Sequence, residues 1–157
     1  MYRLTDSFPY LLNRVGVRIG ELFSKRLKPY DLTLPMYRVL VSLWETGDQR
    51  LNELGKATTL EVSSLSRLVG TMEERGLVVR NRLEDNARAV AINLTVEGRR
   101  LAEELIPQAV EFEEVAIHSF GRSEVARLKS AMLDIYEHLN ALDPRLLEPG
   151  GKRKSGH

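Results

Sequence analysis

Cysteine is absent from the 157-residue sequence. That excludes disulfide staples, thiolate metal sites and cysteine-based catalysis or redox sensing within the chain. It is also compatible with the cytoplasm, the expected location. A chain of this size buries roughly two-thirds of its unfolded surface, so it needs no covalent staple. Long apolar runs are missing too. The longest charge-free apolar stretch is Val39 to Trp44, interrupted by Ser42, against the roughly 20 residues of a bilayer span. Arg3 and Asp6 sit near the start with no long apolar segment behind them, so neither a signal peptide nor membrane association is expected. There is no Gly-rich phosphate loop and no nucleophile elbow. His118, His138 and His157 have no metal-ligand spacing and no evident carboxylate cluster around them. The expectation is therefore a protein with no catalytic residues, no metal and no cofactor.

A surplus of one charge sign is also lacking overall: 23 Lys and Arg face 22 Asp and Glu, a net of +1. The distribution is uneven. Residues 1–100 hold 16 basic and 12 acidic side chains, residues 101–142 hold 3 and 8, and residues 143–157 hold 4 and 2. Such asymmetry marks chains with one binding end and one structural end, although charges that merely cover solvated faces produce it as well.

Apolar periodicity organises what remains. Phe8, Leu12, Val15, Ile19 and Leu22 form one helical stripe that ends near Pro29. Thr33 is placed to cap a second helix with Pro35 in its first turn, Met36, Leu40 and Leu43 inward, and Gly47 as its stop. A short third helix covers about Leu51 to Ala57. A fourth runs from near Glu61 to Gly76 with Val62, Leu65, Val69 and Met72 on its inner face. Residues 77–82 and 89–94 are β-prone, and the polar stretch from Leu83 to Arg88 suits a hairpin loop. Thr95 caps a long helix in which Pro107 should introduce a bend or a split. Ser123 is placed to cap a last helix. Its seam of Val125, Leu128, Met132, Ile135, Leu139 and Leu142 is of heptad type. Residues 143–157, with Pro149-Gly150-Gly151 and Lys152-Arg153-Lys154, read as a basic tail expected to be disordered.

Two short helices followed by a β-hairpin describe a winged helix-turn-helix. The fold class expected is mainly α with a small β-hairpin wing and helical extensions at both ends. With Val62, Leu65, Val69 and Met72 inward, the fourth helix presents Ser63, Ser64, Ser66, Arg67, Gly70 and Thr71. Short hydroxyls allow close approach to DNA, and Arg67 can reach a guanine edge or a phosphate. Taken alone, a Ser-rich helical face is more readily a solvated one. The hairpin adds weight, because Arg75, Arg80, Arg82 and Arg88 lie on or beside it, and an Arg-tipped arm suits the narrow minor groove. Glu84 and Asp85 partly offset that charge.

Leu32-Thr33, Tyr37-Arg38-Val39-Leu40 and Leu51-Asn52-Glu53-Leu54 resemble the opening of the MarR-family core. The stretch from Val62 to Val69 resembles that family's recognition helix. Met72 to Arg80 resembles the lead into its wing, and Arg88-Ala89-Val90 with Leu94 to Gly98 resembles the way out. The resemblance spans about residues 8–142. It implies one domain over 1–142, with a winged core at about 30–98 and dimerisation helices at 1–28 and 99–142. It further implies a homodimer on double-stranded DNA with a pseudo-palindromic operator, acting as a repressor released by a small phenolic or carboxylate ligand. The DNA-contacting residues would be Ser63, Ser64, Ser66, Arg67, Thr71, Arg80, Arg82 and Arg88. Two positions depart from the family pattern. The wing has Asn86-Ala87-Arg88 where Asp-x-Arg is usual, with Asp85 one place early, and Gly55 replaces the usual Ala.

The resemblance also implies an effector pocket. Arg14 and Arg18, one helical turn apart, with Tyr37, Arg38 and Trp44 would hold an aromatic carboxylate, the guanidinium gripping the anion and the rings covering its face. The competing reading makes Arg14 and Arg18 surface ion-pair partners and Trp44 a core residue. A different functional class also stays open: a helical interaction protein whose winged lobe binds a protein partner.

Overall fold

Threonine side chains cap the starts of two helices, and glycines at positive φ close two. The computed structural model describes residues 2–83 and 86–142, the side chains of residues 82–83 and 86–89 excepted. Helix α1 spans Phe8–Leu27. Helix α2 spans Leu34–Thr46; Thr33 Oγ1 accepts from the Met36 backbone N–H at 3.4 Å, and Gly47 closes the helix at φ 82°. Helix α3 is Leu51–Thr58 and α4 is Val62–Glu74. The end of α4 is a Schellman turn: Gly76 takes φ 69°, the Leu77 N–H donates to Met72 O, and the Gly76 N–H donates to Glu73 O, both at 2.9 Å. Helix α5 covers Val96–Ala116 and α6 covers Arg122–Asn140. Thr95 does cap α5, accepting from Gly98 N–H at 3.0 Å while its hydroxyl donates to Gly76 O at 2.6 Å.

The wing has one strand more than the expected hairpin. β1 (Gln49–Arg50), β2 (Val78–Leu83) and β3 (Asn86–Leu94) form an antiparallel sheet in the order β1-β3-β2. Gln49 stands opposite Ile92 and Val78 opposite Leu94. Two residues are too few to show periodicity. Gln49 is buried, with its amide donating to Ser42 O at 2.9 Å.

The core lies between α2, α4, α5 and the sheet. Val39, Leu40, Leu54, Leu65, Val69, Met72, Ile92, Ala102 and Leu105 are all essentially inaccessible. Phe8, Leu12, Val15 and Ile19 of the α1 stripe are exposed, and α1 anchors to the core through Phe23 and Leu27, nearer its end. Two expectations are corrected. Val62 is half exposed, so the inner face of α4 starts at Leu65. Gly121, not Ser123, is the N-cap of α6, and Glu124 accepts its N–H at 2.7 Å. Pro107 sits inside α5 without splitting it.

Residues up to Ala116 and residues from Ile117 onward form two compact units. Within the second, no residue of α6 is buried, and Leu128, Met132 and Leu139 of its seam are exposed. Among the described residues no helix is long and apolar enough to cross a membrane. The tail at 143–157, with Glu84 and Asp85, lies outside the described residues.

Candidate nucleic-acid interface

Burial of one face of α4 determines what the other offers. Leu65, Val69 and Met72 are fully buried, which leaves Ser63, Ser64, Ser66, Arg67 and Thr71 exposed together. Among the described residues the Arg67 guanidinium has no hydrogen-bond or ion-pair partner, while its backbone carbonyl accepts from the Thr71 hydroxyl at 3.3 Å. The approach of α3 to α4 rests on Gly55, which is buried. A Cβ there would sit 3.2 Å from Leu60 O, and the Leu60 N–H already donates to Gly55 O at 3.1 Å. Thr59 makes the turn in the left-handed region at φ 57°. Two short helices thus meet tightly through a backbone turn, with the second helix offering its polar face outward.

Not every Arg near the wing is free. Arg75 Nη1 donates to Asp31 O at 2.6 Å and Nη2 to Tyr30 O at 3.2 Å, so it clips the end of α4 to the turn before α2. Arg80 is engaged as well: Nη1 meets Glu73 Oε2 at 2.9 Å and Nη2 donates to Ser66 O at 3.0 Å. Glu73 is the residue that sequence reasoning missed, because no periodicity links positions 73 and 80 across the Gly76 turn. Arg82 lies on β2 and Arg88 on β3; their side chains fall outside the described residues, as does the question of whether Asp85 steadies Arg88.

A helix-turn-helix with a three-stranded wing, flanked by helices, is the architecture in view when the chain is compared with known proteins. The model of the MarR family matches residues 32–90. The transcriptional regulator SarZ of Staphylococcus aureus is 32% identical over 125 residues, which is 78% of this chain and 83% of SarZ. The chain belongs to the MarR family. AbsC, a MarR family transcriptional regulator from Streptomyces coelicolor, superposes with a TM-score of 0.78 at 27% identity, covering 90% of this chain and all of AbsC. BpsR of Bordetella bronchiseptica, whose DNA binding is regulated by 6-hydroxynicotinic acid, shares the fold at a TM-score of 0.76 and 22% identity, over 91% of this chain and 99% of BpsR. The protein is a DNA-binding transcriptional regulator and not an enzyme.

The MarR-like effector set is dispersed within the chain. Arg14 and Arg18 come together with Tyr10 in a groove of about 460 Å³ along α1, where Arg18 also pairs with Glu21 at 3.3 Å. Tyr37 and Arg38 line a different groove of about 410 Å³, between α2 and the end of α3. Tyr37 lies edge-on to Phe23 with ring centroids 4.9 Å apart, and burial pushes its phenol pKa up. Trp44 lines neither groove. It is 39% exposed and its indole N–H donates to Glu103 on α5 at 3.4 Å.

Proposed function

We propose that the protein is a homodimeric repressor that reads a pseudo-palindromic operator through α4 and the wing. The observation that carries this is the exposed face of Ser63, Ser64, Ser66, Arg67 and Thr71, with the Arg67 guanidinium unpaired, on a helix whose other face is locked in the core. Short hydroxyls near the start of α4 approach phosphates, Arg67 reaches a base edge or phosphate, and Arg82 and Arg88 on the wing enter the neighbouring minor groove. One helix-turn-helix reads only a few base pairs. Two copies spaced by one DNA turn supply the specificity a genome demands. The apolar side chains left exposed on α1 and α6 support dimerisation through the terminal helices.

The repressor is released by a small aromatic carboxylate. The regulation of BpsR by 6-hydroxynicotinic acid supports this class of effector, and so do Arg14 and Arg18, one turn apart on the exposed face of α1. A gel-shift assay at low salt with the DNA flanking the protein's own gene tests the reading. A shift reversed by a phenolic or hydroxypyridine carboxylate is expected, and no shift at all overturns it. Arg14→Ala abolishes the ligand's thermal stabilisation if the effector sits on α1.

A further inference from the structure

We propose that Arg80 serves DNA binding as a positioning residue: with Glu73 it braces the first wing strand against α4, so that the two DNA-reading elements meet the duplex as one surface. The inference rests on the DNA-binding reading above.

Arg80 stands opposite Ile92 in the β2–β3 ladder, and Ile92 is a core residue. Partners in an antiparallel ladder project from the same face of the sheet, so Arg80 leaves the sheet on its core side. There its guanidinium makes two hydrogen bonds to one helix, to Glu73 Oε2 at 2.9 Å and to the Ser66 carbonyl at 3.0 Å. Glu73 Oε1 in turn accepts the backbone N–H of Arg80 at 3.0 Å. β2 is an edge strand, where a backbone N–H pointing outward has no ladder partner. Glu73 supplies one.

Three hydrogen bonds therefore tie a single strand residue to two positions of α4 that lie two helical turns apart. One of those positions is the carbonyl next to Arg67, the free Arg of the DNA face. Both side chains of the pair are only 35% exposed, so water competes for the contact less than at an open surface. An Arg spent in this way has its fork of donors directed at protein. Its effect on DNA is to hold the helix and the wing at a fixed separation, and the specific complex depends on that separation more than loose electrostatic binding does.

The brace and a direct phosphate contact predict opposite behaviour for Glu73. Removing a negative charge near DNA strengthens binding if only charge matters, and weakens operator binding if the brace matters. The experiment measures affinity of the full-length protein for its own promoter fragment and for a scrambled fragment by fluorescence anisotropy at several salt concentrations. It compares Glu73→Gln, Arg80→Lys, Arg80→Ala, the double variant Glu73→Gln/Arg80→Ala and Arg67→Ala. Glu73→Gln keeps the shape of the side chain, and thermal unfolding checks that each variant folds.

Glu73→Gln and Arg80→Ala are each expected to weaken promoter binding about fivefold, the loss of a charge-assisted hydrogen-bond pair. Scrambled DNA and the salt slope are left unchanged. The double variant is expected to be no worse than Arg80→Ala, and Arg80→Lys to be intermediate. Unchanged or tighter binding by Glu73→Gln overturns the brace. So does an Arg80→Ala variant that weakens both DNAs alike and lowers the salt slope by about one per subunit, the mark of a phosphate contact. A wild-type protein that binds no DNA removes the DNA-binding reading itself. If wild type binds and Arg67→Ala weakens it while Glu73→Gln is silent, only the brace falls.

Discussion

Arg75, at the end of α4, donates from its guanidinium to the backbone carbonyl of Asp31 at 2.6 Å, across 44 residues of sequence. Its second terminal nitrogen takes the Tyr30 carbonyl. Two peptide carbonyls of a turn whose Asp31 sits at φ 52° thus depend on one side chain. Arg75→Ala is expected to destabilise the fold by about 1–2 kcal/mol, since two hydrogen bonds from a charged donor are lost while water partly replaces them at this accessible turn. Urea unfolding measures this. A midpoint equal to that of wild type would show the clip to be idle.

Gly98 and Gly55 should respond very differently to a methyl group. A Cβ on Gly98 would overlap the Leu77 carbonyl oxygen, a backbone atom that also accepts the Thr95 N–H. Gly98→Ala is expected to cost more than about 3 kcal/mol, because helix and strand must separate. At Gly55 the nearest atom is Leu60 O at 3.2 Å, and the gain in helix propensity offsets the crowding, so Gly55→Ala is expected to stay within about 1 kcal/mol of wild type. Thermal unfolding of the two variants side by side checks the contrast.

Local chemistry made much of this fold legible. Thr33, Gly47, Gly76 and Thr95 announce helix ends because each satisfies or terminates a hydrogen-bond pattern within a few residues. The polar face of α4 could be read because Leu65, Val69 and Met72 repeat at helical spacing. What escaped was decided by contacts between distant segments. Gln49 joins the sheet through β3 and Ser42. Arg75 and Arg80 look equally basic in sequence, yet they are spent on Asp31, Tyr30, Glu73 and Ser66. Arg14 and Tyr37, placed together by analogy, line separate grooves of one chain.

Met132 and Leu128 lie exposed on α6. If they form a dimer seam, one charge in it is costly. Met132→Glu is expected to shift the protein from dimer to monomer at micromolar concentration by sedimentation velocity. Retention of the dimer would move the interface elsewhere.

Acid should weaken one end of α5. Arg100, hydrogen-bonded to Glu97 at 2.7 and 2.9 Å, holds the Glu97 carboxyl below its ordinary pKa. A carboxyl whose folded-state pKa is depressed adds stability above its unfolded value and loses it as the pH falls through the folded one. Glu97→Gln is therefore expected to be slightly less stable than wild type at pH 7, with the gap closing as the pH falls below the ordinary carboxylate range. Melting temperatures across pH test this, and a gap that stays constant with pH would remove the ion pair as its cause.

The central claim is that the free face of α4 reads DNA. Its most direct test is the salt dependence of affinity for the protein's own promoter fragment, wild type against Arg67→Ala. The account predicts steep weakening with salt for wild type. For Arg67→Ala it predicts affinity lower by about five- to tenfold and, if Arg67 contacts a phosphate, a slope shallower by about one per subunit. A variant that binds as wild type does, or a wild type that binds no DNA at low salt, would contradict it.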